Sequence, residues 1–157
     1  MKLLILSDTH RITYKLEELL ESYSNQVDYF VHLGDYANDL LKYQSKYPKL
    51  KMIGIPGAFE NGDVFTTLEI NGARLLFTHG HTLDVKSNML RIVHYALEQN
   101  VDACFFGHTH VSVVFEESGV LFINPGSLCS PKGGTQTGYA MVTVSPEGKV
   151  TGELVTV

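Results

Sequence analysis

The sequence predicts an α/β protein: a four-layer α/β/β/α sandwich of two mixed sheets flanked by helices. Two observations carry this expectation. The first third of the chain alternates β-α-β-α-β, the pattern of right-handed crossovers onto parallel strands. The remainder carries several hairpin signals, so a second sheet of mixed or antiparallel character is expected. The 157 residues are about one domain's worth, and a single domain over 1–157 is expected.

The elements follow in order. Residues 2–6 are a short apolar run, as in a strand covered on both faces. Leu16, Leu19, Leu20 and Tyr23 recur at i, i+3, i+4, i+7 and predict a helix over 12–24. Residues 27–32 (VDYFVH) read as a second strand, 39–43 as a short helix ended by Pro48, and 50–55 as a third strand. Strands at 64–70 and 73–77 are joined by Asn71-Gly72, a strong short hairpin signal. Met89, Ile92, Val93, Ala96 and Leu97 share one face of a helix over 87–99. Residues 103–106 form a buried strand. The pairs 111–116 with 120–123, around Ser118-Gly119, and 139–144 with 149–157, around Pro146-Glu147-Gly148, complete the set.

Composition narrows the function classes. Hydrophobic residues make up 44% and charged residues 18%, which is not a disordered composition. Twelve basic against seventeen acidic residues give a formal charge of −5. With no basic run, this argues against a nucleic-acid partner. Two cysteines, Cys104 and Cys129, exclude a disulfide framework and favour a cytoplasmic protein. The apolar start of MKLLILSDTH stops at Ser7-Asp8, too short for a signal peptide. No stretch approaches the ~20 apolar residues of a membrane span, so no membrane partner is expected.

The polar residues that follow the apolar strands carry the chemistry. Asp8 and His10 follow the first strand and Asp35 the second. His79 and His81 follow the strand at 73–77, and His108 and His110 the strand at 103–106. In open α/β sheets ligands bind beyond the carboxyl ends of strands, so these side chains are expected to converge. Imidazoles and carboxylates without thiolate suit divalent Mn, Fe, Co, Ni or Zn. The D-x-H and H-x-H spacings let each pair reach one site. Six donors exceed the needs of one tetrahedral ion, and a shared carboxylate bridges two ions about 3.5–4 Å apart in two-metal sites. Such a pair binds a hydroxide, lowers its pKa and neutralises phosphoryl oxygens, so phosphate-ester hydrolysis is the expected reaction.

The motifs SDTH (7–10), HLGD (32–35), THGH (78–81), GHTH (107–110) and NPGS (124–127), in this order, resemble the calcineurin-like metallophosphoesterase superfamily. More closely, they resemble its small single-domain phosphodiesterase branch, the YfcE type. The resemblance implies the metallo-dependent phosphatase fold with a dinuclear centre, manganese foremost and nickel, cobalt, zinc or iron as alternatives. Carried across, Asp8, His10, Asp35 and His110 hold one ion. Asp35 bridges through the nucleophilic hydroxide to a second ion, held also by His79 and His108. The implied substrate is a small phosphodiester, or a phosphomonoester. Asn124 and Ser127 of NPGS are candidate substrate contacts, and His81, beside a ligand, is the candidate acid or substrate contact. Oligomeric state is not readable from the sequence.

Two positions depart from the family pattern. Where the family has G-N-C-D or G-N-H-D/E, this chain has Gly57-Ala58-Phe59-Glu60. Ala58 lacks the Asn donor and Phe59 cannot transfer a proton, so a weaker second metal and a slower enzyme are expected. The Phe is similar to the retromer scaffold subunit of this fold, whose site is regarded as degenerate, and a non-catalytic protein-binding scaffold is the alternative expectation. Arg11 stands where the family often has Gly, a candidate either to grip a substrate phosphate bidentately or to point to solvent. Tyr36, Phe59 and Tyr139 stand apart from the core aromatics, as candidates to stack on a base or aryl leaving group or to shield the site. His32 is expected to be packed or to support a ligand from behind, His94 to be structural or exposed, and Cys104 to be core.

Overall fold

A computed structural model describes residues 1–157. The strands are β1 (Lys2–Leu6), β2 (Tyr29–His32), β3 (Lys51–Gly54), β4 (Phe65–Ile70), β5 (Ala73–Thr78), β6 (Ala103–Phe105), β7 (Ser112–Glu117), β8 (Val120–Pro125), β9 (Gly138–Val144) and β10 (Val150–Thr156). The helices are α1 (Tyr14–Tyr23), α2 (Asn38–Leu41) and α3 (Leu90–Glu98), with a 3-10 turn at His81–Leu83. Two five-stranded sheets result, ordered β10-β9-β1-β2-β3 and β4-β5-β6-β8-β7.

The apolar run of β1 works on both faces because successive side chains alternate. Leu3 and Ile5 point into the space between the sheets, against Val31, Phe77, Phe105, Ile123 and Val142. Leu4 and Leu6 point outward against Leu16, Leu19 and Leu20 of α1 and Leu40 of α2. On the far face of the second sheet, Ile92 and Ala96 of α3 cover Leu76, Cys104 and Phe122. The four layers are therefore α1 and α2, the two sheets, and α3, as the sequence pattern predicts. Full burial of one such Leu or Phe is worth about 1.5–3 kcal/mol.

β1, β2 and β3 are parallel, as expected from the crossovers. The last hairpin is what makes the first sheet mixed, as expected of both sheets: β9 pairs antiparallel with β1 and carries β10 with it. A β1 buried on both faces has a second edge to fill, and the apolar β9 fills it. Asn71 and Gly72 have φ of 51° and 84°, the left-handed pair that a tight two-residue hairpin needs. The expected helix over 87–99 starts later, at Leu90. Ser87 Oγ donates to Asp84 Oδ1 at 2.9 Å and Asn88 Oδ1 accepts the Leu90 amide at 3.0 Å, a side-chain turn that competes with helix.

Candidate metal centre

β1 and β2 end side by side, with Leu6 opposite His32, and so do β5 and β6, with Phe77 opposite Phe105. The loops after these four strands carry every residue expected to ligate metal. Asp8, His10, Asp35, His108 and His110 all have positive φ, between 47° and 68°. Each turns its side chain inward from a conformation that non-glycine residues rarely adopt, at a cost of about 1–3 kcal/mol apiece.

Two groups of donors result. Ligand atoms of Asp8, His10, Asp35 and His110 lie within 4.8 Å of one another, and so do those of Asp35, His79 and His108. Asp35 belongs to both. Its Oδ1 is 3.3 Å from His79 Nε2 and its Oδ2 is 3.9 Å from His10 Nε2. His108 Nδ1 is 3.0 Å from His79 Nε2, and His10 Nε2 is 3.2 Å from His110 Nε2. Asp8 Oδ2 accepts the His108 amide at 3.2 Å, tying the first loop to the fourth.

The tautomers show what these groups are built to hold. His79 Nδ1 donates to the Leu33 carbonyl at 2.6 Å, and His110 Nδ1 donates to the Ser130 carbonyl at 2.7 Å. In the neutral rings each Nε2 then carries a lone pair. These lone pairs face carboxylate oxygens, His79 toward Asp35 Oδ1 and His110 toward Asp8 Oδ1 at 3.2 Å. Asp8 Oδ1 is buried and has no hydrogen-bond partner. Lone pair against carboxylate is repulsive unless a cation lies between them, so the donors fit divalent ions. Without an ion, Asp8 instead draws a proton onto this nitrogen, raising the His110 pKa although burial opposes it, so a proton and a metal ion compete for the same place. Burial and the neighbouring His79 push His108 down to about 4, leaving it neutral and free to ligate.

Close backbone approach explains two glycines. A Cβ on Gly34, φ 103°, would stand 2.6 Å from His79 Nδ1. A Cβ on Gly57 would overlap the Asp35 amide and Oδ1. The segment after β3 therefore lies directly on Asp35, and the Ala58 amide donates to Asp35 Oδ1 at 3.2 Å. Ala58 brings no side-chain donor, and Phe59 is 93% exposed.

The remaining predicted residues are placed as follows. His81 is held in the 3-10 turn, its ring 5.3 Å from His79 and 6.0 Å from His108, with Nδ1 buried and unpartnered. Burial lowers its pKa. Arg11 is exposed and stacks on Tyr36, whose ring meets His10 edge-on. Asn124 and Ser127, the expected substrate contacts, are both fully buried and bonded within the protein. Asn124 donates to the Gly107 carbonyl and Thr109 Oγ1 and accepts the Gly126 amide. Ser127 Oγ donates to the Asp8 carbonyl and accepts two amides. They shape the loops beneath the donors.

Of the supports, sequence reasoning anticipated His32 and missed the others. Glu60 Oε2 accepts the Tyr36 amide at 2.9 Å and the Gly57 amide at 2.7 Å, clamping the loop after Asp35 to the loop after β3. Thr9 Oγ1 meets His32 Nε2 at 3.0 Å and donates to Asp39 Oδ2 at 3.0 Å, fixing the D-x-H turn. His32 Nδ1 accepts the Gly34 amide at 3.1 Å. Their positions beside the motifs were the one available signal.

The chain is similar to known proteins in sequence and in fold. The calcineurin-like phosphoesterase superfamily domain matches residues 1–147. The probable metallophosphoesterase YsnB of Bacillus subtilis is 28% identical over 151 residues, covering 92% of this chain and 85% of that one. A predicted phosphoesterase from Streptococcus pneumoniae superposes with TM-score 0.80 at 27% identity, covering 99% and 88% of the two chains. Vps29 of Entamoeba histolytica shares the fold, with TM-score 0.74 at 18% identity over 99% and 98%. With the donors at its strand ends, the match over nearly its whole length places the chain in the calcineurin-like phosphoesterase superfamily of metal-dependent hydrolases.

Proposed function

We propose that this chain, acting as one domain, hydrolyses small phosphodiesters, and phosphomonoesters secondarily, with two divalent ions, manganese foremost. The observation that carries this reading is the pair of donor groups that share Asp35, with the lone pairs of His79 and His110 turned toward carboxylates. Asp8, His10, Asp35 and His110 would hold one ion, and Asp35, His79 and His108 the other. Ions held there supply hydroxide near neutral pH and offset charge on phosphoryl oxygens. The donors are nitrogen and oxygen without thiolate, a set that takes Mn, Fe, Co, Ni or Zn, and the family resemblance puts manganese first.

The chain's own residues set the rate. The carbonyls of Leu33 and Ser130 hold the imidazoles in the ligating tautomer. The second group has one protein donor fewer than the first, and Ala58 offers only an N–H that is already bonded to Asp35. The second ion is accordingly bound more weakly and turnover is slowed. His81, beside His79 and His108 with an unpartnered Nδ1, is assigned the proton for the leaving oxygen or a contact to the ester. The two free cysteines accord with a cytoplasmic location.

A second reading, a protein-binding scaffold, draws on Phe59, whose ring is 93% exposed beside Ala58. One assay separates the two. Metal-stripped protein is refilled with Mn²⁺ and assayed on bis(p-nitrophenyl) phosphate beside Asp35→Asn. Metal-dependent turnover lost in the variant is expected. No turnover with Mn²⁺, Ni²⁺, Co²⁺ or Zn²⁺ overturns the hydrolase reading in favour of the scaffold.

A further inference from the structure

Eleven non-glycine residues have positive φ. Five are the proposed ligands already described. Four more are Asn71, Asp84, Asn100 and Ser118, small polar residues at hairpin tips and helix ends, where the left-handed region is tolerated at little cost. Two are left: Arg11 at 66° and Tyr36 at 78°. Neither residue type favours that conformation, and glycine would sit at both positions without strain. Each directly follows a proposed ligand, His10 or Asp35.

The two side chains meet. Arg11 Cζ lies 4.8 Å from the centre of the Tyr36 ring, and the same ring lies edge-on to His10 with centres 5.9 Å apart. Glu60 fixes Tyr36 from below by accepting its amide. Arg11 takes part in none of the chain's ion pairs. A guanidinium held over an aromatic ring and outside every ion pair has N–H groups to spare, and their planar fork matches two oxygens of a phosphate.

We propose that Arg11, laid on Tyr36 at the mouth of the metal centre, binds a second phosphate group of the substrate. Phosphoesters that carry an additional phosphate beside the scissile one are then preferred over those that do not. The inference rests on the hydrolase reading above and names its substrate class. Tyr36 is the platform that holds the guanidinium one ring away from His10, and the strain at both residues is the cost of keeping these side chains where glycine would relieve it.

The test uses the Mn²⁺-loaded protein and a matched pair of chromogenic diesters, thymidine 5′-(p-nitrophenyl phosphate) with and without a 3′-phosphate. A kcat/KM higher by about tenfold for the bisphosphate, residing in KM, is expected from one bidentate charged contact. Arg11→Gly, which suits the left-handed backbone, should bring the ratio to about one, and Arg11→Lys, a charge without the planar fork, should keep part of it. By calorimetry, thymidine 3′,5′-bisphosphate should bind tighter than thymidine 5′-monophosphate by a similar factor, and Arg11→Gly should erase that difference. Equal kcat/KM for the pair, with bis(p-nitrophenyl) phosphate still hydrolysed, overturns this inference and leaves the hydrolase reading standing. A preference that survives Arg11→Gly overturns it as well. No turnover of any of the three esters overturns the hydrolase reading, and the binding ratio alone then decides whether Arg11 takes the phosphate.

Discussion

Asp35 Oδ1 accepts the backbone N–H of Ala58 at 3.2 Å. The carboxylate shared by both donor groups thus has a main-chain neighbour where the resembled family presents a side-chain amide. Ala58→Asn adds an oxygen donor on the side of His79 and His108. In a calorimetric Mn²⁺ titration, its weaker site should tighten by about tenfold, a range second neighbours of metal ligands also span. Turnover should rise with it. An unchanged isotherm would show that position 58 does not reach the ion.

Glu60 joins two loops through one carboxylate oxygen that takes two amides. Glu60→Ala leaves both N–H groups without that acceptor, at about 1–3 kcal/mol. For a chain of this length each 1 kcal/mol is about 2–4 °C in melting temperature. Glu60→Gln retains an acceptor oxygen and should fall between wild type and Glu60→Ala. Thermal unfolding of the three proteins, with turnover measured on each, checks the order.

Metal removal should be visible in stability without any substrate. An ion that binds only the folded chain stabilises it by about 2.7 kcal/mol at a hundred times its Kd. Saturating Mn²⁺ should therefore raise the melting temperature by several degrees over protein in chelator. Asp35→Asn, which weakens both donor groups, should remove most of that rise. Equal melting curves with and without Mn²⁺ in wild type would count against metal binding altogether.

His32 gives a signed pH dependence. It is fully buried and neutral, its Nδ1 accepts the Gly34 amide, and burial pushes its pKa down to about 3 from 6.5. Between those values the unfolded chain binds one more proton than the folded chain. Stability is thus whole above pH 6.5 and falls as pH drops toward 3, by up to about 1.4 kcal/mol per unit. His32→Gln is less stable at pH 7, where its partners are less well matched, but should show a shallower decline. Urea unfolding in chelator at pH 7, 6 and 5 for both proteins measures the difference in slope.

Much of this was legible in the sequence because the relevant signals are local. The unbroken apolar run from Leu3 to Leu6 announces a strand covered on both faces, and D-x-H and H-x-H announce the donors. Apart from His32, the supports were not legible. Leu33 and Ser130 act through main-chain carbonyls, which leave no trace in residue type. Glu60 resembles any loop glutamate until Tyr36 and Gly57 are seen beside it. Asn124 and Ser127 carry the right functional groups, yet their direction is set by burial beneath the loops. The partner of the last hairpin was hidden for a related reason: an open edge on β1 is a property of the assembled sheet.

Neither donor group belongs to one sheet. Asp8, His10 and Asp35 follow strands of the first, while His79, His108 and His110 follow strands of the second. During synthesis, the first sixty residues provide β1, β2 and β3 with three of the six donors, but no complete set. The second group closes only when His108 has emerged, and the first only with His110. A nascent chain therefore completes its donor groups late, only after strands of both sheets have been made.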